Sequence, residues 1–218
     1  MPTIRIKICG LSTPDTLDAA LSAGADLVGF VHFPKSPRHV GFEQARLLSE
    51  QAKGRADRVV LLVDPDDALV KAAIEAIDPD WIQLHGRETP ERVAMIRDLG
   101  GRPVMKALGI ATHADLAALV DHVTADRILL DAKPPSSADL PGGNGHAFDW
   151  NLLAGTYLPQ GTMLSGGLTP DNVGEALAMT RLRAIDVSSG VETSPGRKSA
   201  ERIAAFIAAI RAVESSLI

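Results

Sequence analysis

The sequence predicts a closed (β/α)8 (TIM) barrel that takes up residues 1–218 as a single domain. Three observations predict it. Short apolar runs alternate with helical patterns eight times along the chain, and such alternation implies a parallel sheet. The 218 residues suit a compact barrel and show no linker or break in composition. No dominant glycine fingerprint follows the first strand, as one usually does in the competing doubly wound open sheet.

The first run, Ile4–Cys9, alternates apolar and polar residues with period two and stops at Gly10. Thr13 and Pro14 then supply a helix cap and first turn, with Leu17, Ala20 and Leu21 on the buried face up to Gly24. A second strand, Asp26–Val31, leads into the loop Phe33–His39 and a helix from about Phe42 to Ala52. The third, Arg58–Val63, ends at Asp64, and its helix carries Val70, Ala73, Ile74 and Ile77 at helical spacing. The fourth, Trp81–Leu84, runs into His85-Gly86, and Thr89-Pro90 opens the next helix.

Pro103–Leu108 is the fifth strand, followed by a helix expected to bury Leu116, Leu119, Val120 and Val123 on one face. Arg127–Leu130 is the sixth, with Asp131 at its end. A long irregular stretch, Ala132 to Phe148, precedes Asp149, which caps a short helix at Trp150. The seventh strand, Thr162–Leu164, ends in Ser165-Gly166-Gly167, and Thr169-Pro170-Asp171 is expected to open its helix. The eighth, Ala184–Val187, ends in Ser188-Ser189-Gly190. The last helix is expected over about Lys198–Ser215, burying Ile203, Phe206, Ile207, Ile210 and Val213.

Composition narrows the function classes. Hydrophobic residues at 45% and charged residues at 22% fit an ordinary globular enzyme or binding protein. A net charge of −5 offers no basic footprint for nucleic acid or for an anionic membrane. No apolar run is long enough to span a bilayer, and no secretory signal opens the chain. A single cysteine excludes an internal disulfide and fits a cytoplasmic protein. Six scattered histidines with none at helical ligand spacing argue against a metal site. A monomer and a homodimer are equally compatible with the sequence.

Strand periodicity says where side chains point. Ile4, Ile6 and Ile8 suit the helix side, which turns Arg5, Lys7 and Cys9 inward. The same rule turns Asp131 and Asp186 inward. Cys9 and Asp131 then stand at the carboxyl-terminal rim, where active sites of this fold sit. Alone, the cysteine reads as a buried inert hydrophobe and the aspartate as a cap or salt-bridge partner. Together at that rim they favour acid–base chemistry.

The glycine-bearing loops after the seventh and eighth strands suit the backbone capture of a phosphate, so a phosphorylated small molecule is the expected ligand. Arg38, on a proline-stiffened loop, suits bidentate capture of a carboxylate. His85, at the end of the fourth strand, suits a general base or a zinc ligand, though such a histidine is more often a hydrogen-bonded structural group. Lys7 and Asp186 should pair across the closure, and Lys7 should favour a Cys9 thiolate.

Several segments together resemble phosphoribosylanthranilate isomerase. They are Lys7-Ile8-Cys9-Gly10-Leu11, Gly29-Phe30-Val31 with Pro34 to Arg38, Gln83-Leu84-His85-Gly86, Leu129-Leu130-Asp131, Gly142-Gly143 with Phe148-Asp149-Trp150, Ser165 to Leu168, and Asp186 to Glu192. The resemblance runs in order from residue 4 to about residue 198. Asn144, His146, His32 and Ser199 depart from the usual pattern.

It implies an enzyme of tryptophan biosynthesis that needs no cofactor. The implied reaction is the Amadori rearrangement of N-(5′-phosphoribosyl)anthranilate to 1-(o-carboxyphenylamino)-1-deoxyribulose 5-phosphate. Asp131 would be the general acid and Cys9 the general base. Arg38 would hold the anthranilate carboxylate, Gln83 and His85 would meet the substrate, and Gly166, Gly167, Ser189 and Gly190 would hold its phosphate. A dual-substrate barrel isomerase would have aspartate in place of Cys9. A non-catalytic phosphate-ligand binding protein would need neither Cys9 nor Asp131.

Overall fold

The computed structural model describes residues 3–133, 142, 145 and 147–216. Eight parallel strands pair in chain order and close into a barrel. They are β1 (Arg5–Cys9), β2 (Leu27–Val31), β3 (Asp57–Leu62), β4 (Trp81–Leu84), β5 (Val104–Ile110), β6 (Arg127–Ala132), β7 (Met163–Leu164) and β8 (Ala184–Val187). Closure sets β8 beside β1 with Lys7 opposite Asp186 and Ile8 opposite Val187.

The helices begin where the sequence offers caps. Helix α1 (Pro14–Ala23) starts with the Thr13 side chain accepting from the Thr16 N–H, and it ends at Gly24 in the left-handed region. Helix α2 (Phe42–Ala52) follows Gly41. The Asp66 side chain caps α3 (Asp67–Ile77), and Thr89 with Pro90 starts α4 (Pro90–Gly100).

Period two separates two cores. Ile4, Ile6, Ile8, Ile128, Leu130, Ile185 and Val187 face the surrounding helices. Leu27, Val59, Met105, Ala107, Leu129, Met163 and Ala184 fill the barrel interior. Above this plug the inward positions turn polar, with Lys7, Gln83, Asp131 and Asp186 all buried; Lys106, between the plug residues Met105 and Ala107, is buried on the opposite face of β5. The apolar plug thus sets the floor of a site, and the strand tips form its walls.

Four local expectations fail. The fifth helix is a 3-10 turn, His113–Ala117, running into the short α5 (Ala118–Asp121). Leu116 and Leu119 are buried, but Val120 and Val123 are 75% and 70% exposed, because so short an element has no second turn to carry the apolar face. Thr169-Pro170-Asp171 forms a turn ahead of α6 (Val173–Thr180), in which the Asn172 side chain accepts from the Thr169 N–H at 2.8 Å. Lys198 is not helical, since β9 (Glu192–Ser194) and β10 (Arg197–Lys198) make a hairpin before α7 (Ala200–Ser216). Asp149 does cap the turn Trp150–Leu153, but that turn is 3-10. Most of the expected irregular segment 132–148, with Gly143, Asn144 and His146, lies outside the described residues.

Among the described residues no helix is long and apolar enough to cross a membrane, and no group of three or more His, Cys, Asp or Glu is placed to hold a metal ion.

Phe206 is wholly buried among the helix-side core residues. Phe206→Ala should cost about 3–5 kcal/mol in a denaturant titration, whereas Val120→Ser should stay within about 0.5 kcal/mol of the parent. A large loss at Val120 would restore it to a buried face.

Candidate active site

An open cleft of about 820 Å³ lies at the carboxyl-terminal ends of the strands. Cys9, Arg38, Gln83, His85, Asp131, Gly166, Gly167 and Ser189 all line it. Gly190 stands directly behind Ser189, packed on the loop after β7: a Cβ there would come within 1.7 Å of the Leu168 carbonyl oxygen. Its lack of a side chain is therefore a packing requirement between the loops after β7 and β8.

Cys9 ends β1 and is buried with Val31 and Leu61. Beneath it, Lys7 Nζ donates to Asp186 Oδ1 at 2.8 Å, and Ser165 Oγ donates to Asp186 Oδ2 at 3.1 Å. Gly29 on β2 leaves room for this group, since a Cβ there would lie 3.0 Å from Cys9 Sγ and 3.2 Å from Lys7 Nζ. Burial pushes the Cys9 thiol above its ordinary value; Lys7 and, more weakly, Lys198 pull it down, and Asp186 pushes it up. Lys7 therefore does both things considered from sequence: it pairs with Asp186 and favours the thiolate. It does not overcome desolvation, so the resting group is a thiol. For Lys7 itself, burial depresses the pKa, but Asp186 and Cys9 more than reverse this and hold it above the ordinary lysine value.

Across the cleft, Asp131 Oδ2 meets His85 Nε2 at 3.1 Å, and His85 Nδ1 meets Gln83 Nε2 at 3.1 Å. With the amide donating to Nδ1, the ring proton sits on Nε2 and is donated to Asp131. Asp131 Oδ1 accepts from the Ala132 N–H at 2.9 Å. Glycines crowd this carboxylate on two sides. A Cβ on Gly166 would lie 3.0 Å from Oδ1, and one on Gly142 would lie 2.7 Å from Oδ2 and 2.5 Å from His85 Nε2. Gly166 (φ +83°) and Gly167 (φ +60°) also hold a backbone conformation that side chains rarely adopt. The N–H groups of Gly167, Ser189 and Gly190 donate to no protein acceptor among the described residues.

Two buried ion pairs frame the site that single-strand patterns did not reveal. Lys106 Nζ donates to Glu88 Oε2 at 2.7 Å and to the Gly86 carbonyl at 2.8 Å, while Glu88 accepts from the N–H groups of Asp64 and Gly86. This locks the loop that carries His85. Arg38 Nε and Nη2 donate to Glu192 Oε1 and Oε2 at 2.7 and 2.8 Å. Lys198 Nζ also reaches Glu192, at 2.6 Å. Their partners are 154 and 6 residues apart in the chain, so no local pattern announces them. His32, a departure from the usual pattern, is placed structurally: Nδ1 meets the Val40 carbonyl and the ring stacks on Phe42.

Residues 6–209 match the family model described as N-(5′phosphoribosyl)anthranilate (PRA) isomerase. A curated N-(5′-phosphoribosyl)anthranilate isomerase from Azorhizobium caulinodans is 60% identical over 98% of this chain and 94% of its own. One from Rhodopseudomonas palustris strain HaA2 is 57% identical over 99% of each chain. The crystal structure of phosphoribosyl anthranilate isomerase from Thermotoga maritima superposes with a TM-score of 0.85 at 33% identity, covering 96% of this chain and all of that one. A phosphoribosyl anthranilate isomerase solved with reduced 1-(o-carboxyphenylamino)-1-deoxyribulose 5-phosphate gives 0.82 at 32%, with the same coverage.

Because Cys9 is the chain's only cysteine, ultraviolet thiolate absorbance reads it directly. Its midpoint should lie alkaline of a free cysteine. In Lys7→Met/Asp186→Asn, which removes both buried charges together, the midpoint should rise further, because the influence of Lys7 exceeds that of Asp186. A midpoint below that of free cysteine would mean that Lys7 outweighs burial.

Proposed function

The chain belongs to the N-(5′-phosphoribosyl)anthranilate isomerase family, an isomerase of tryptophan biosynthesis, and from that premise we propose that Cys9 and Asp131 are its base and acid. The observation that carries the proposal is their placement on separate strand ends of one cleft, with two glycine-bearing loops beside them.

The substrate's phosphate sits against the backbone N–H groups of Gly167, Ser189 and Gly190, with Gly166 giving the turn its shape. Arg38 takes the anthranilate carboxylate. Asp131 donates a proton to the furanose ring oxygen; the C1′–O bond breaks as the anilino nitrogen's lone pair forms C1′=N. The Cys9 thiolate then removes the C2′ proton. The C–H electrons form C1′=C2′ and the imine electrons return to nitrogen, giving an enolamine. This enol loses its hydroxyl proton and C1′ gains one, which leaves the ketone and an isomer of the starting material. His85 fixes the Asp131 carboxylate, and Gln83 fixes the ring of His85.

A thiol base suits this carbon acid because only the small thiolate fraction reacts, and a bound substrate excludes water from it. The single-pass chemistry needs no redox partner, since C1′ is reduced as C2′ is oxidised.

Fluorescence decay of phosphoribosylanthranilate tests the reading. Cys9→Ala and Asp131→Asn should each lower kcat by about a hundredfold or more. Near-normal turnover in either variant would remove that residue from its role. Intact function in both would favour a binding protein instead.

A further inference from the structure

The proposed chemistry uses Arg38 but leaves unexplained the two buried groups around it, Glu192 and Lys198. Both are on the hairpin that follows β8, and both are almost wholly withdrawn from solvent, at 4% and 1% side-chain exposure. Glu192 binds the Nε–Nη2 edge of Arg38 with both carboxylate oxygens, which fixes the plane of the guanidinium rather than merely its charge. The hairpin also bears directly on the Arg38 loop. A Cβ on Gly196 (φ +80°) would come within 2.3 Å of the Pro37 carbonyl oxygen, and one on Gly10 (φ +78°) within 2.8 Å of Arg38 Cδ. The arginine is thus clamped along its stem and at its head.

The same carboxylate is tied to the other end of the substrate's path. Lys198 Nζ donates to Glu192 Oε1, to the Ser188 carbonyl at 2.9 Å and to Ser188 Oγ at 3.2 Å. Ser188 Oγ in turn donates to the Cys9 carbonyl at 3.2 Å. One continuous chain of hydrogen bonds therefore joins Arg38, Glu192, Lys198, the loop that carries Ser189 and Gly190, and the backbone of Cys9.

We propose that Glu192 is a specificity-determining positioning residue: it orients Arg38 for the o-carboxylate of the substrate's aromatic amine and, through Lys198, fixes the span between that arginine and the phosphate loop. Glu192 touches no reacting atom. Its effect is on which arylamine is accepted, so that a phosphoribosylated amine without an ortho carboxylate gains nothing from the clamp. The inference rests on Arg38 as the carboxylate receptor.

The test uses two inhibitors, the reduced product carrying the o-carboxyl group and the same molecule made from aniline. Glu192→Gln should weaken the carboxylated inhibitor by about tenfold or more, the scale of a charge-assisted hydrogen bond, while changing the anilino inhibitor less than about twofold by the same reasoning. KM should rise with kcat largely kept. Lys198→Met should weaken both inhibitors, because it releases the phosphate loop as well. Equal loss for both inhibitors in Glu192→Gln, or no loss, overturns the proposal.

Arg38→Met with the same pair separates the two claims. Failure of Arg38→Met to discriminate the inhibitors refutes the carboxylate role of Arg38. Discrimination by Arg38→Met but not by Glu192→Gln refutes Glu192 alone. Should Glu192→Gln not fold, Glu192→Gln/Lys198→Met leaves no unpaired buried lysine, and the ratio of the two inhibition constants reads the same point.

Discussion

The pairing of Lys7 with Asp186 at the closure of the barrel is the constraint on which the site depends. The first and last strands meet in a register that sets these two residues opposite one another, and the side chains join at 2.8 Å with both almost wholly buried. Such a pair is a poor source of stability, because desolvating two ions offsets most of their attraction. Breaking it by removing one partner is nevertheless expensive, at about 3–5 kcal/mol, since the other charge is left buried alone. The closure therefore has one permitted register at this level. Cys9, two residues above Lys7, inherits its position from it.

That part of the molecule was legible in the sequence because it obeys a strict period. Ile4, Ile6 and Ile8 on one strand and Ile185 and Val187 on another leave only one direction for Lys7, Cys9 and Asp186, and the helix-side core bears this out. The helix starts at Thr13 and Thr89 were equally readable, since a hydroxyl cap followed by proline acts locally. Val120 and Val123 show the limit of the method. Their spacing is helical, but the α-helix there stops at Asp121, and periodicity carries no information about length once the chain turns. Lys198 shows another limit: β9 and β10 are three and two residues long, too short to display any period, so the lysine was absorbed into the long apolar helix that follows.

The chemistry of the site was legible as an inventory and less so as a set of environments. Cys9, Asp131, Arg38, Gln83, His85 and the glycine loops could be named from one chain. What each experiences is decided by partners distant in sequence: Asp131 by His85, Arg38 by Glu192, Cys9 by Asp186 and Lys198. Lys7 lowers the thiol pKa as expected, and the net upward shift comes from burial, which is a property of the closed barrel and has no signature in the strand itself. The glycines carry a similar lesson. Gly166 and Gly190 looked like phosphate loops, and each makes room for its neighbours, Gly166 for Ala132 and Asp131 and Gly190 for the Leu168 carbonyl.

The charge pattern around Cys9 explains why a thiol suits this position. Lys7 faces Asp186, Lys198 faces Glu192, and Arg38 faces Glu192 as well, so the buried charges near the strand end already have partners. A carboxylate at position 9 would add a second anion beside Asp186 at a fully buried strand end, where Lys7 and, more weakly, Lys198 act on it. Keeping a further permanent charge out of water costs several kcal/mol before its cations repay any of it. A thiol avoids this conflict, because its resting form is neutral and nearly apolar, and it takes on charge only in the minority state that removes a proton. The pair beneath it can then remain matched in the free protein while still lowering the cost of the thiolate when it forms. On this view the cysteine and the Lys7–Asp186 pair are one device, and substituting either changes the meaning of the other.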